Sequence, residues 1–138
     1  LPPLGLYRVV DRRCENPLNE PQNCTRIAYV ELAHSKVAHL APHPAVLIFW
    51  LAPDDAQSDF TYETWPVYGR FTSPDNYLLH DEGSVRDWLV VRDGSIHEYD
   101  LEAFQTDQRR EIRMRSRLSL ERIPRTPELD HRLQLVPD

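Results

Sequence analysis

Three short stretches hold the side chains most able to do chemistry. The first is His34-Ser35-Lys36-Val37-Ala38-His39-Leu40-Ala41-Pro42-His43-Pro44, with three imidazoles in ten residues. Imidazole is a common ligand for zinc and copper, so His34, His39 and His43 are metal candidates. Their spacing works against a shared site. On a strand, His34 and His39 face opposite sides, and Pro42 and Pro44 fix His43 in a separate turn. Exposed loop histidines are the expectation, with no metal or other cofactor.

The second stretch, Pro53-Asp54-Asp55-Ala56-Gln57-Ser58-Asp59, offers three carboxylates of the kind calcium takes. It lacks the alternation and the glycine of an EF-hand loop. It reads as an acidic, solvated turn able to meet a basic partner. The third, His80-Asp81-Glu82-Gly83-Ser84, joins an imidazole, two carboxylates and a hydroxyl. Neighbours in sequence point apart on a strand or turn, so adjacency alone is no catalytic geometry. There is no GxSxG elbow, no HExxH and no glycine-rich phosphate loop. With only four glycines, the last could hardly be built. An enzyme is not expected; two carboxylates placed across strands would be the remaining route, to sugar hydrolysis.

Cys14 and Cys24 flank a segment with two prolines and two interior asparagines, which reads as a loop. The spacing is too wide for a CxxC redox pair, and there are no further cysteines for a zinc site. The expectation is a disulfide between Cys14 and Cys24, hence an oxidising compartment. Leu1-Pro2-Pro3-Leu4-Gly5 looks like a mature start, from which a signal peptide or a lipid-anchored leader upstream of Leu1 has been removed. The localisation expected is periplasmic or secreted.

The net charge of −6 argues against nucleic acid and anionic membrane as partners, because both need clustered positive charge. The acid is concentrated: residues 31–107 carry fourteen acidic and four basic side chains. The basic side is almost all Arg, with Lys36 the single lysine, which points weakly to a bacterium of high GC content. The longest apolar run, residues 45–52, falls short of the roughly 18 residues a membrane helix needs.

These residues must be positioned by strands. Twelve prolines and the period-two patterns break the chain into short extended runs. Strands are expected over Leu6–Arg13 and Arg26–Leu32, the latter extending into Val37–Leu40. A third, Ala45–Ala52, is apolar on both faces and so covered on both. A fourth spans Phe60–Phe71, with Pro66 marking an edge or bulge, and a short one covers Tyr77–His80. Asp93-Gly94 between Val85–Arg92 and Ser95–Leu101 is a strong hairpin signal. Along Arg109–Arg122, Ile112, Met114, Leu118 and Leu120 alternate with Arg113, Arg115 and Arg117. That strand would pair its arginines with Glu98, Asp100 and Glu102. Leu133 and Leu135 would end the chain as a strand. Helix is limited to Glu102–Gln105 and Ser84–Asp87. Trp50 and Trp88 are expected in the core. The fold class is all-β: one domain over residues 1–138, an antiparallel sandwich or small barrel of seven to eight strands.

Trp65-Pro66-Val67-Tyr68-Gly69-Arg70-Phe71 is aromatic, broken by Pro and Gly, and close to the acidic turn. Aromatics and Arg anchor interfaces. The architecture is generically similar to that of small periplasmic lipoproteins, inhibitors and immunity proteins among them, an analogy carried by no motif. The first functional expectation is a periplasmic protein that occludes a basic protein partner. Its surface would comprise Asp54, Asp55, Asp59, Glu63, Trp65, Tyr68, Asp75 and Glu82. A structural or assembly lipoprotein of the envelope is the second. A lipocalin-type binder of a small ligand is the third; it requires a roomy apolar interior, which residues 45–52 could line.

Overall fold

A computed structural model describes residues 1–15, 23–34 and 45–133. In chain order the strands are β1 (Gly5–Glu15), β2 (Ile27–His34), β3 (Ala45–Leu51), β4 (Thr61–Pro66), β5 (Arg70–Ser73), β6 (Asn76–Asp81), β7 (Val85–Arg92), β8 (Ser95–Asp107) and β9 (Arg110–Ile123). A 3-10 turn at Asn23–Thr25 precedes β2, and helix α1 (Pro127–Leu133) follows β9. The strands form one antiparallel sheet in the order β4-β3-β2-β1-β9-β8-β7-β6-β5, curled into a half-barrel. This is the all-β class that the period-two patterns predict, realised as a curled sheet of nine strands rather than seven to eight.

The two edge strands, β4 and β5, are consecutive in the chain and separated only by Val67-Tyr68-Gly69. Four residues span at most about 14 Å, so this short connection draws the two ends of the sheet toward each other. The registers make β4 and β5 run in the same direction. They are two halves of one bent strand: Thr61–Pro66 pairs with β3, and Arg70–Ser73 pairs with β6. The expected run Phe60–Phe71 is thus continuous in sequence and divided in the sheet. Pro66, which has no N–H to donate, ends the β3 ladder. The Val67 N–H donates to the Ala45 carbonyl just beyond it. Gly69 then passes so close to β6 that a Cβ there would overlap the Leu78 carbonyl oxygen and stand 2.6 Å from Tyr77 Cε1.

Alternation places one side chain in two inside the curl. Tyr7, Val30, Leu32, Leu89, Ile96 and Leu118 are fully or almost fully buried there. The opposite face of β1–β3 is also covered. Leu6, Trp50 and Leu133 form a second cluster, with Tyr29, Ile48 and Leu129 packed against it. Residues 45–51 are apolar on both faces because α1 covers the side the main core does not. Trp50 is core, as expected. Trp88 is only half-buried, and the Arg86 guanidinium lies 5.6 Å from its ring centroid.

Two sequence expectations are corrected. Leu133 belongs to α1 rather than to a final strand; Leu135 lies outside the described residues. Thr126 caps the helix, its Oγ1 accepting the Leu129 N–H at 3.2 Å, and Pro127 occupies the first helical position. That pairing was visible in the sequence. Glu102–Gln105 and Val85–Asp87 are strand rather than helix: they pair in β8 and β7, with Ala103 opposite Val85. Ser84 is the bend before β7.

Two of the two-residue hairpins use left-handed backbone. Asp93 (φ 52°) and Gly94 (φ 72°) join β7 to β8, as the Asp-Gly pair predicts. Gln108 (φ 49°) and Arg109 (φ 66°) join β8 to β9 without a glycine. The expected Cys14–Cys24 disulfide is present, with a Cα–Cα distance of 6.0 Å. It ties β1 to the turn before β2. Replacing both cysteines with serine should lower the free energy of unfolding by about 2–3 kcal/mol, read as a fall in the urea midpoint.

Candidate functional site

The curl leaves a cavity of about 810 Å³ between the bent strand and the β6–β8 wall. Its floor is apolar: Ile27, Leu47, Phe49, Leu101, Met114 and Leu118. Strand parity sets these side chains inward. Trp65, Tyr68 and Val85 also line it, yet are 52%, 62% and 38% exposed, so they mark the mouth. The mouth follows from the pairing. β5 reaches β6 only as far as Leu78, and β4 pairs with β3. No ladder joins β4 to the end of β6 among the described residues. A lateral cleft remains, with Glu63 and Trp65 on one lip and His80 and Glu82 on the other.

A polar array stands on one wall. His80 Nδ1 is 2.9 Å from Asp87 Oδ1, and the Tyr99 hydroxyl donates to Asp87 Oδ2 at 2.9 Å. Both Asp87 oxygens are therefore engaged. A carboxylate only accepts, so Nδ1 of His80 carries the hydrogen of this bond. Nε2 has no partner among the described residues. Burial first, then the charge and hydrogen bond of Asp87, push the Tyr99 phenol well above its ordinary value. Tyr99 thus stays a donor and holds Asp87 in place. The Phe49 and Tyr99 rings meet edge to face at 5.0 Å behind the array.

The expected surface residues fall in three places. Glu63, Trp65, Tyr68 and Glu82 line the cavity. Asp54, Asp55 and Asp59 lie exposed in the β3–β4 loop, at the same end of the sheet as Glu82. Within that loop Asp55 Oδ1 accepts the Gln57 N–H at 2.9 Å, and Asp54 Oδ1 lies 4.0 Å from Arg26 Nε. Asp75, in the β5–β6 turn, is at the opposite end. Of the histidine set, His34 closes β2, while His39 and His43 lie outside the described residues. Sequence reasoning singled out His80 but missed its partner. Asp87 sits seven residues along, across the β6–β7 turn, and the irregularity between Leu78 and His80 brings the two opposite each other.

Two arginines of β9 pair as the spacing predicts. Arg117 lies opposite Asp100, with Nε 2.8 Å from Oδ1, and Arg115 opposite Glu102 at 3.2 Å. Arg113 instead reaches Glu111 at 3.2 Å and lies over the Phe104 ring. Asp100 is 2% exposed, and its Oδ2 has no hydrogen-bond partner among the described residues. Protonated Glu98, two residues along the same face, donates a hydrogen bond to Asp100. Burial, then hydrogen bonding to and repulsion by Asp100, raise Glu98 from 4.5 to about 7, against the pull of Arg117 at 3.5 Å.

The folded chain therefore holds a proton that the unfolded chain has released by about pH 5. This contribution to stability is complete below the unfolded value of 4.5 and is lost as pH rises through about 7. Urea unfolding at a series of pH values should show the native chain losing stability between pH 5 and 8, and Glu98→Gln should flatten that slope.

Fold and site together define a curled antiparallel sheet around an apolar, laterally open cavity with one polar wall. No protein-family model matches the chain, and neither does any curated protein or solved structure. Among the described residues, no helix is long and apolar enough to cross a membrane.

Proposed function

We propose that the protein is a lipocalin-type binder that holds one small, largely apolar molecule inside the curled sheet and assigns it no chemical step. The cavity carries this reading. Its volume of about 810 Å³ falls within the roughly 300–1,000 Å³ of small-molecule sites. Its mostly apolar lining with a few convergent polar groups is the usual composition of such sites. The compartment proposed is the bacterial periplasm or the exterior, supported by the Cys14–Cys24 bridge.

Titration with Nile red, a neutral apolar dye, tests the reading. Trp65 lines the cavity, whereas Trp50 lies under α1 and Trp88 on the outer face. Dye uptake should saturate at one equivalent and quench tryptophan emission. Trp65→Phe should abolish most of the quenching. Saturable uptake with undiminished quenching in Trp65→Phe would place the dye elsewhere, and no uptake by folded protein would end the reading.

A second reading is favoured by the exposure of Tyr62 (61%), Trp65 (52%), Tyr68 (62%) and Phe71 (43%) along the bent strand. Together with Asp54, Asp55 and Asp59 they offer an aromatic, acidic surface of the kind that anchors a basic protein partner and occludes its site. On this reading, Asp54→Lys with Asp59→Lys slows association with a captured partner and flattens its salt dependence. An unchanged on-rate would remove it.

A further inference from the structure

Asp100 sits mid-sheet on the outer face, away from the cavity. The registers set one row across five strands: Leu78, Trp88, Asp100, Arg117 and Arg13. Leu78 is buried and Trp88 half-buried, so Asp100 stands beside apolar side chains rather than in water. Its Oδ1 accepts the Arg117 Nε–H at 2.8 Å. Its Oδ2 is buried and meets no donor among the described residues. A buried acceptor left without a donor is costly. Glu98 draws on the same guanidinium, with Oε1 3.5 Å from Arg117 Nε. Two half- or fully buried carboxylates thus share one arginine. What the cluster lacks is one positive charge that brings a donor, and a proton on Glu98 supplies both.

The surrounding charges are engaged elsewhere. On β8, Glu102 pairs with Arg115 of β9, and Ser119 is the β9 residue opposite Glu98. On β7, Arg86 lies over the Trp88 ring, while exposed Arg92 is the second cation that attracts Glu98. On β1, Arg13 lies opposite Arg117 and 3.9 Å from Glu15, and exposed Asp11 accepts the Arg12 N–H. His97, next to Glu98 and exposed, reaches the Arg92 carbonyl at 3.1 Å.

We infer that Glu98 and Asp100 form a proton-operated latch on the outer face of the sheet. When it is closed, the Glu98 O–H donates to Asp100 Oδ2 while Arg117 holds Oδ1. Opening breaks that O–H bond and delivers the proton to water. The two carboxylates then repel each other. Glu98 swings toward Arg92 and solvent, and water enters at Asp100 Oδ2 beside Trp88. Burial first, then the hydrogen bond to and charge of Asp100, set Glu98 at about 7, so the latch works around neutral pH. It fixes the charge and hydration of this face by pH, and it does not depend on what the cavity holds.

Carboxyl 13C NMR of the whole chain from about pH 4 to 9 tests the latch, with the Glu98 signal assigned by its absence from Glu98→Gln. The Glu98 midpoint should lie near 7, against about 4.3 for an ordinary glutamate. Asp100→Asn should lower it by about one unit or more, since the repulsion ends, and Arg92→Gln should raise it by less. Trp88 emission should shift with the same midpoint in His97→Gln protein, where no imidazole next to Glu98 contributes. Adding Glu98→Gln or Trp88→Phe should abolish that shift. A Glu98 midpoint below about 5.5, or one unchanged in Asp100→Asn, would overturn the latch. So would Trp88 emission that ignores the titration, because the face would then not respond. A midpoint that falls when about 10 mM CaCl2 is added would show a metal ion filling the site, and would overturn it too.

Discussion

Gly69→Val should destabilise the fold by about 3 kcal/mol or more and open the half-barrel on its bent side. The added Cβ would overlap the Leu78 carbonyl oxygen and press on the Tyr77 ring. The first of these is backbone within the β5–β6 ladder and cannot step aside as a flexible side chain could. Overpacking a well-filled site costs about 1–3 kcal/mol, and more where backbone must move. Gly94 is the control. Its φ of 72° needs glycine for conformational reasons, but nothing lies within 4 Å of a Cβ there. Gly94→Ala should therefore cost only about 1 kcal/mol. Urea midpoints give both figures, and exchange of the β5 and β6 amides should rise in Gly69→Val alone. Equal costs at the two positions would contradict the close approach of the bent strand to β6.

Asp87→Ala comes next, at about 3 kcal/mol. The carboxylate serves the His80 ring and the buried Tyr99 hydroxyl at once, so its removal leaves the Tyr99 hydroxyl orphaned and frees the half-buried His80 ring. An unsatisfied buried donor costs about 1–3 kcal/mol. Tyr99→Phe removes a donor and leaves Asp87 with His80, so about 1 kcal/mol is expected there. The double variant should fall short of the sum of the two, because the Tyr99 hydroxyl counted as orphaned in Asp87→Ala is absent from it. Strict additivity, read from urea unfolding, would mean that the three side chains do not act as one array.

The features legible in the chain are those where local chemistry and fold agree. Asp93-Gly94 demands left-handed backbone and receives it. The alternation from Ile112 to Leu120 makes one strand of it, and Arg115 and Arg117 there meet the acids of β8. Cys14 and Cys24 close their loop. Thr126-Pro127 is an equally local helix-start signal, which the strand reading of Leu133 and Leu135 leaves unused.

The cavity was not readable in the same way. Its existence depends on one extended run dividing between two distant partners, β3 and β6. Pro66 and Gly69 marked the break without naming either partner. Gln108-Arg109 forms a tight hairpin with no residue that asks for one. The His80–Asp87 pair is set by register across a turn and an irregular ladder. Spacing in sequence carries no trace of it. Asp87 itself alternates with Arg86 and Trp88 like any strand residue. Only the inward direction of its side chain distinguishes it from the solvated acids nearby.

The proposed small apolar ligand would fill the space inside the curled sheet. Calorimetric titration of decanol, whose neutral head is indifferent to the charge of the wall, tests it most directly. A saturable one-to-one heat with a negative heat-capacity change is expected, as apolar burial requires. The melting temperature should also climb with decanol concentration. No saturable heat up to the solubility limit, from protein whose circular dichroism shows an intact sheet, would contradict the small-ligand reading.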